Sequence, residues 1–126
     1  KKLIAVFFAD LFLPTKSEIK NLRDSGFSGV MVDTSNKKSG NLFNHLSYTE
    51  INNFLTTAKN VNLLTGIAGS INETHINEVI KLNPNYMGFR GALCENNSVR
   101  SSNISATNVN NIIDLVKNYK NISISA

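Results

Sequence analysis

The pattern that most restricts the possible folds is one unit written four times. A short apolar run ends at a polar residue or a glycine, and a stretch with helical apolar spacing follows it. The runs are Leu3 to Ala9, Val30 to Val32, Leu63 to Ala68 and Tyr86 to Phe89. Successive runs lie about 20 to 35 residues apart, the separation that parallel strands joined by crossover helices require. Each crossover should be right-handed. Two α/β architectures accept this order: a small open doubly wound sheet, or the (βα)4 half of a TIM (β/α)8 barrel. A whole barrel takes about 250 residues, and this chain has 126. Periodicity alone does not choose between them.

Local signals set the boundaries. Thr15-x-x-Glu18 after Pro14 is a capping box, Ile19 and Leu22 give the first helix an apolar face, and Gly26 is its stop. Val30-Met31-Val32, preceded by Gly29, reads as a buried strand that turns polar at Asp33. A polar loop from Thr34 to Asn41 follows, and Ser47-x-x-Glu50 opens a helix carrying Tyr48, Ile51, Phe54, Leu55 and Ala58. Glu73 begins the third helix, with Ile76, Val79 and Ile80 on one face and Asn83-Pro84 closing it. Val109, Ile112, Ile113 and Val116 mark the last helix, capped by Ser105 or Thr107. The tail from Asn121 to Ala126 alternates Ser and Ile, as a stub of strand or a disordered end would.

Composition closes off several classes. Hydrophobic content of 41% and charged content of 17% suit one globular domain spanning residues 1–126. No apolar run approaches a bilayer span, and the opening run into Phe8-Ala9 ends at Asp10 without a small-residue cleavage site. No membrane association is expected. The formal charge of +4 is spread over scattered lysines without an aromatic platform, so an anionic small molecule fits better than nucleic acid. The single cysteine, Cys94, excludes an internal disulfide and a cysteine-based zinc cluster, and a cytoplasmic setting is expected.

In folds of this kind, chemistry collects where the carboxyl ends of strands meet their loops. Four such ends carry polar groups: Asp10, Asp33 with Lys37, Gly69-Ser70, and Arg90-Gly91. A carboxylate within reach of a lysine can hold it, tune it and exchange protons with it. The plainer alternative for Asp33 and Lys37 is an exposed ion pair of little energetic weight. Gly69 and Gly91 would let backbone approach an anion, with the Ser70 hydroxyl and the Arg90 guanidinium beside them. Against this, Ser70-x-x-Glu73 also matches a capping box, and Arg90 could simply bridge strand ends. Asp10 is either a substrate contact or a hydrogen-bond partner of loop backbone. His45 and His75 lack partners at metal-ligand spacing and read as surface residues, Cys94 reads as a buried thiol, and no metal or other cofactor is called for.

Three segments together, Val32-Asp33-Thr34-x-x-Lys37, Ala68-Gly69-Ser70-Ile71 and Gly88-Phe89-Arg90-Gly91-Ala92-Leu93-Cys94, resemble the (5-formylfuran-3-yl)methyl phosphate synthase family. The likeness runs in order from Leu3 to about Val116. It implies a TIM-barrel lyase of methanofuran biosynthesis that condenses two glyceraldehyde 3-phosphate molecules into a phosphorylated furan. The implied route is a lysine Schiff base, aldol-type bond formation, dehydration and loss of one phosphate. The family's Asp-x-x-x-Lys pair falls on Asp33 and Lys37, implying proton transfer, and its phosphate loops fall on Gly69-Ser70 and Arg90-Gly91. Family members run to about twice this length, in keeping with a whole barrel. The resemblance is to their carboxyl-terminal half, strands 5 to 8, so the Schiff-base lysine has no counterpart here.

The chain is therefore expected to be a fragment of a longer enzyme, inactive alone, that needs an amino-terminal half-barrel or self-association to cover its strand edges. Two other readings stand beside this one. One is a different Schiff-base aldolase with Lys37 as nucleophile; the other is a non-catalytic half-barrel serving assembly or phosphate binding.

Overall fold

A computed structural model describes residues 2–36, 38, 40–71, 73–89, 106–116 and 123–125. Five parallel strands are interleaved with helices: β1 (Ile4–Phe8), α1 (Lys16–Asp24), β2 (Gly29–Asp33), α2 (Leu42–His45), α3 (Tyr48–Asn60), β3 (Leu64–Ile67), α4 (Ile76–Lys81), β4 (Tyr86–Gly88), α5 (Ala106–Val116) and β5 (Ser123–Ser125). They form one sheet in the order β1-β2-β3-β4-β5. A doubly wound sheet reverses its strand order at a switch point; this one never reverses. The architecture is an α/β half-barrel, and the Ser/Ile tail supplies a fifth strand paired to β4, with Met87 opposite Ile124.

Why these residues form these elements is visible at the helix starts. The Thr15 and Ser47 hydroxyls accept from the amides of Glu18 and Glu50, and each glutamate accepts in return from the cap's own amide. Both capping boxes are thus closed in full. After α1, Gly26 takes φ +98°, the left-handed turn that ends the helix. The short helix α2 has no apolar periodicity to announce it; Asn41 starts it by accepting from the Phe43 amide at 2.9 Å. Thr107 lies inside α5 rather than ahead of it, and Ser105 is outside the described residues.

The two faces of the sheet differ sharply. Val30, Val32, Thr65, Ile67 and Met87 point to the helix layer and are buried against Ile19, Ile51, Leu55, Ile76 and Val79. The alternate residues line the other face. There the register sets Ile4 beside Gly29 and Leu64, and Val6 beside Met31 and Gly66. A methyl on Gly66 would lie 2.8 Å from Met31 Cε, so the methionine lies over the glycine. This face is open: Ile4, Val6 and Phe8 remain 39%, 44% and 37% exposed. At the opposite end of the sheet, Asn85 Oδ1 accepts from the Thr65 amide at 2.9 Å and satisfies a buried polar residue. Among the described residues no helix is long and apolar enough to cross a membrane.

Candidate active-site rim

Strand period and register decide which side chains meet at the carboxyl-terminal rim. Phe8 pairs with Asp33, so Asp33 follows Gly29 and Met31 along the open face and ends that row. Its carboxylate Oδ1 accepts from the Thr34 amide at 2.7 Å, and Thr34 itself is buried. The ladder continues one step past each strand, with the Ala9 amide donating to Asp33 O and the Ala68 amide to Val32 O, both at 2.8 Å. The ends of β1, β2 and β3 therefore stand level.

Asp10 reaches from the end of β1 across to the loop after β2. Its carboxylate accepts from the Ser35 amide at 2.8 Å, the Ser35 hydroxyl at 2.6 Å and the Asn36 amide at 2.9 Å. The Ser35 hydroxyl, followed by the Ser35 amide, holds this carboxyl well below the usual carboxylate range, against a smaller opposing effect of burial. Of the two roles open to Asp10 in the sequence, loop-holding is the one these contacts make. The loop so pinned is the one that leads to Lys37.

Gly69 and Ser70 follow β3. Gly69 has φ +120° and Ser70 φ +56°. A methyl at Gly69 would meet Leu42 Cβ and Thr34 Cγ2, each at 3.1 Å, and Gly69 O accepts from the Leu42 amide at 2.8 Å. The glycine is thus where the loop after β3, the start of α2 and the loop after β2 pack together. Ser70 is not the cap of the next α-helix: a single 3-10 turn, Glu73–His75, comes first, and α4 begins at Ile76 with His75 at its N-cap. Lys37, Arg90, Gly91 and Cys94 lie outside the described residues.

Sequence reasoning underrated His75. It is half-buried, stacks on Phe43 with ring centroids 5.2 Å apart, and lies 3.5 Å from the Asn41 amide group through Nε2. Its Nδ1 has no partner among the described residues. Neither Asn41 nor Phe43 stands near it in sequence, so no local pattern could have paired them. Lys59 was also missed. Burial lowers its pKa, but its ammonium donates to Leu82 O at 3.1 Å and Asn83 O at 2.6 Å, which fastens α3 to the end of α4 away from the rim. That role is structural.

Comparison with known proteins gives the family and the fold. A family model described as 4-HFC-P synthase matches residues 1–113. The chain is 30% identical over 120 residues to the (5-formylfuran-3-yl)methyl phosphate synthase of Archaeoglobus fulgidus, covering 92% of this chain and 50% of that protein. It is 36% identical over 75 residues to the enzyme of the same name from Methanococcus aeolicus, covering 60% of this chain and 32% of the relative. The chain thus spans about half the length, or less, of these curated relatives. Among solved structures it superimposes on a citrate synthase variant (TM-score 0.57, 14% identity, all of this chain and 45% of the other). It also superimposes on D-psicose 3-epimerase (TM-score 0.55, 14% identity, 98% of this chain and 51% of the other). At that identity the structures speak for the fold alone.

Proposed function

Since the chain belongs to the 4-HFC-P synthase family, we propose that it is the carboxyl-terminal half of a lyase that builds (5-formylfuran-3-yl)methyl phosphate for methanofuran biosynthesis. The substrate is glyceraldehyde 3-phosphate, two molecules of which are joined. A Schiff base on a lysine outside this chain activates one molecule as the carbon nucleophile for the aldol step. Loss of phosphate and water then closes the furan.

Within this chain, Asp33 and Lys37 transfer the protons. Aldol addition and dehydration each move a proton on or beside the same carbon skeleton, and a carboxylate with a nearby amine serves as base in one step and acid in the next. The observation that carries the reading is the location of Asp33. It ends the row of side chains on the open face, at the rim where barrel enzymes hold their substrates. Gly69-Ser70 and Arg90-Gly91 grip the substrate phosphates, Asp10 holds the loop between Asp33 and Lys37 in shape, and the bond-making steps need the companion half of the barrel.

Borohydride trapping with glyceraldehyde 3-phosphate tests the division of labour. The chain by itself should trap no adduct, and the completed barrel should trap one on a lysine outside residues 1–126. A substrate-dependent adduct on Lys37 would give that residue the nucleophile's role and overturn the proposal.

A further inference from the structure

The short helix α2 ties together two points that bracket Ser70 in the loop after β3. At one point the Leu42 amide donates to Gly69 O at 2.8 Å, and Leu42 Cβ lies 3.1 Å from where a methyl on Gly69 would stand. At the other, the residues on either side of Leu42 hold His75. Its imidazole stacks on the Phe43 ring at 5.2 Å with 28° between the planes, and its Nε2 lies 3.5 Å from Asn41 Nδ2. Gly69 and Ser70 need holding from outside. Their φ values are +120° and +56°, and a residue other than glycine persists in the left-handed region only where its surroundings over-determine it.

The hydrogen-bond roles at His75 are fixed by its neighbour. Asn41 Oδ1 is committed to the Phe43 amide at 2.9 Å, so the group Asn41 turns to His75 is the donor Nδ2. Nε2 must then accept, which puts the ring proton on Nδ1 and leaves the imidazole neutral. That Nδ1 is closed off from solvent and has no partner among the described residues. A buried donor without an acceptor opposes folding, so the ring's own hydrogen bonding does not account for its place. We infer that His75 is a positioning residue for the loop after β3: through Asn41 and Phe43 it holds α2 against Gly69, and so keeps the Gly69 and Ser70 backbone in the shape that receives a substrate phosphate. It acts through α2 and not on the phosphate itself. The inference rests on the phosphate role proposed above for Gly69-Ser70, and its test tells the two apart.

The test titrates inorganic phosphate into the full chain at about pH 8, where an ordinary imidazole is neutral, and follows the Ser70 amide by NMR. His75→Phe keeps an aromatic ring over Phe43 and drops the acceptor. Asn41→Ser keeps an oxygen for the Phe43 amide and drops the donor. Each should weaken phosphate binding roughly threefold or more and speed hydrogen exchange at the Leu42 amide, with the urea midpoint staying at the parent's. The double variant should be no worse than either single one, because both cut the same link. In the parent, the His75 ring nitrogens should report the proton on Nδ1. Parent-like affinity in the single variants, additive losses in the double, a urea midpoint that falls in step with the affinity, or a proton on Nε2 would each overturn the inference while leaving the phosphate loop in place. A Ser70 amide that ignores phosphate in the parent would instead overturn the phosphate reading, and the part of His75 with it.

Discussion

Replacing Gly69 with alanine should be among the most costly small changes in this chain, and its cost can be divided in advance. The first part is backbone strain. Gly69 sits at φ +120°, a region that side chains other than glycine's occupy at a cost of about 1–3 kcal/mol. The second part is crowding. The new methyl would stand 3.1 Å from both Leu42 Cβ and Thr34 Cγ2, and forcing such contacts apart in a packed site typically costs about 1–3 kcal/mol more. The sum, about 2–6 kcal/mol, is a large fraction of the stability of an ordinary domain. Gly26→Ala is the matched control. Gly26 has φ +98°, and nothing lies within 4 Å of its absent methyl, so it should show the strain without the crowding. The assay is urea denaturation of the two variants and the parent followed by circular dichroism, since the chain has no tryptophan. Gly69→Ala should lose at least about 1 kcal/mol more than Gly26→Ala. Equal losses would mean that Leu42 and Thr34 do not press on Gly69, and the account of three elements meeting there would fail.

Two more outcomes follow from the hydrogen bonds. Asp10 has a lowered folded-state pKa, so its stabilising effect is complete above the ordinary carboxylate value near 4 and is lost as the pH falls through the folded value. The stability gap between parent and Asp10→Asn should therefore be constant near neutrality and close steadily below about pH 4, as measured by denaturation across pH; a gap that widens in acid would reverse the sign. Ser47→Ala removes the acceptor for the Glu50 amide and should cost about 1 kcal/mol in the same assay, while no loss would mean that the capping box of α3 is not formed in solution.

What the sequence made legible was whatever depends on near neighbours. The boxes at Thr15 and Ser47, the stop at Gly26 and the strand ends at Asp10, Asp33 and Gly69 were readable because cap, box and period are local rules. The choice of a half-barrel over a doubly wound sheet was not readable from periodicity, because strand order is a long-range property; the family resemblance pointed to the half-barrel, and the β1-to-β5 sequence of pairings agrees with it. Helix α2 went unread for a different reason, since Leu42–His45 is too short to show a period and rests on Asn41 and on Gly69 O. At the rim, Asp10 was visible as a polar strand end. Its three bonds to Ser35 and Asn36 cross from one loop to another and leave no trace in spacing. The sheltering of His75 by Phe43 and Asn41 was hidden in the same way.

The most direct test of the central claim is the rate of furan phosphate formation by the completed barrel carrying Asp33→Asn. Asparagine keeps an oxygen to accept from the Thr34 amide but cannot take up a proton, so the fold is spared while the chemistry is removed. A fall of roughly 100-fold or more, with the Schiff base still trapped on the companion half, is the expected result. Parent-like turnover in that variant would contradict a proton-transfer role for this rim.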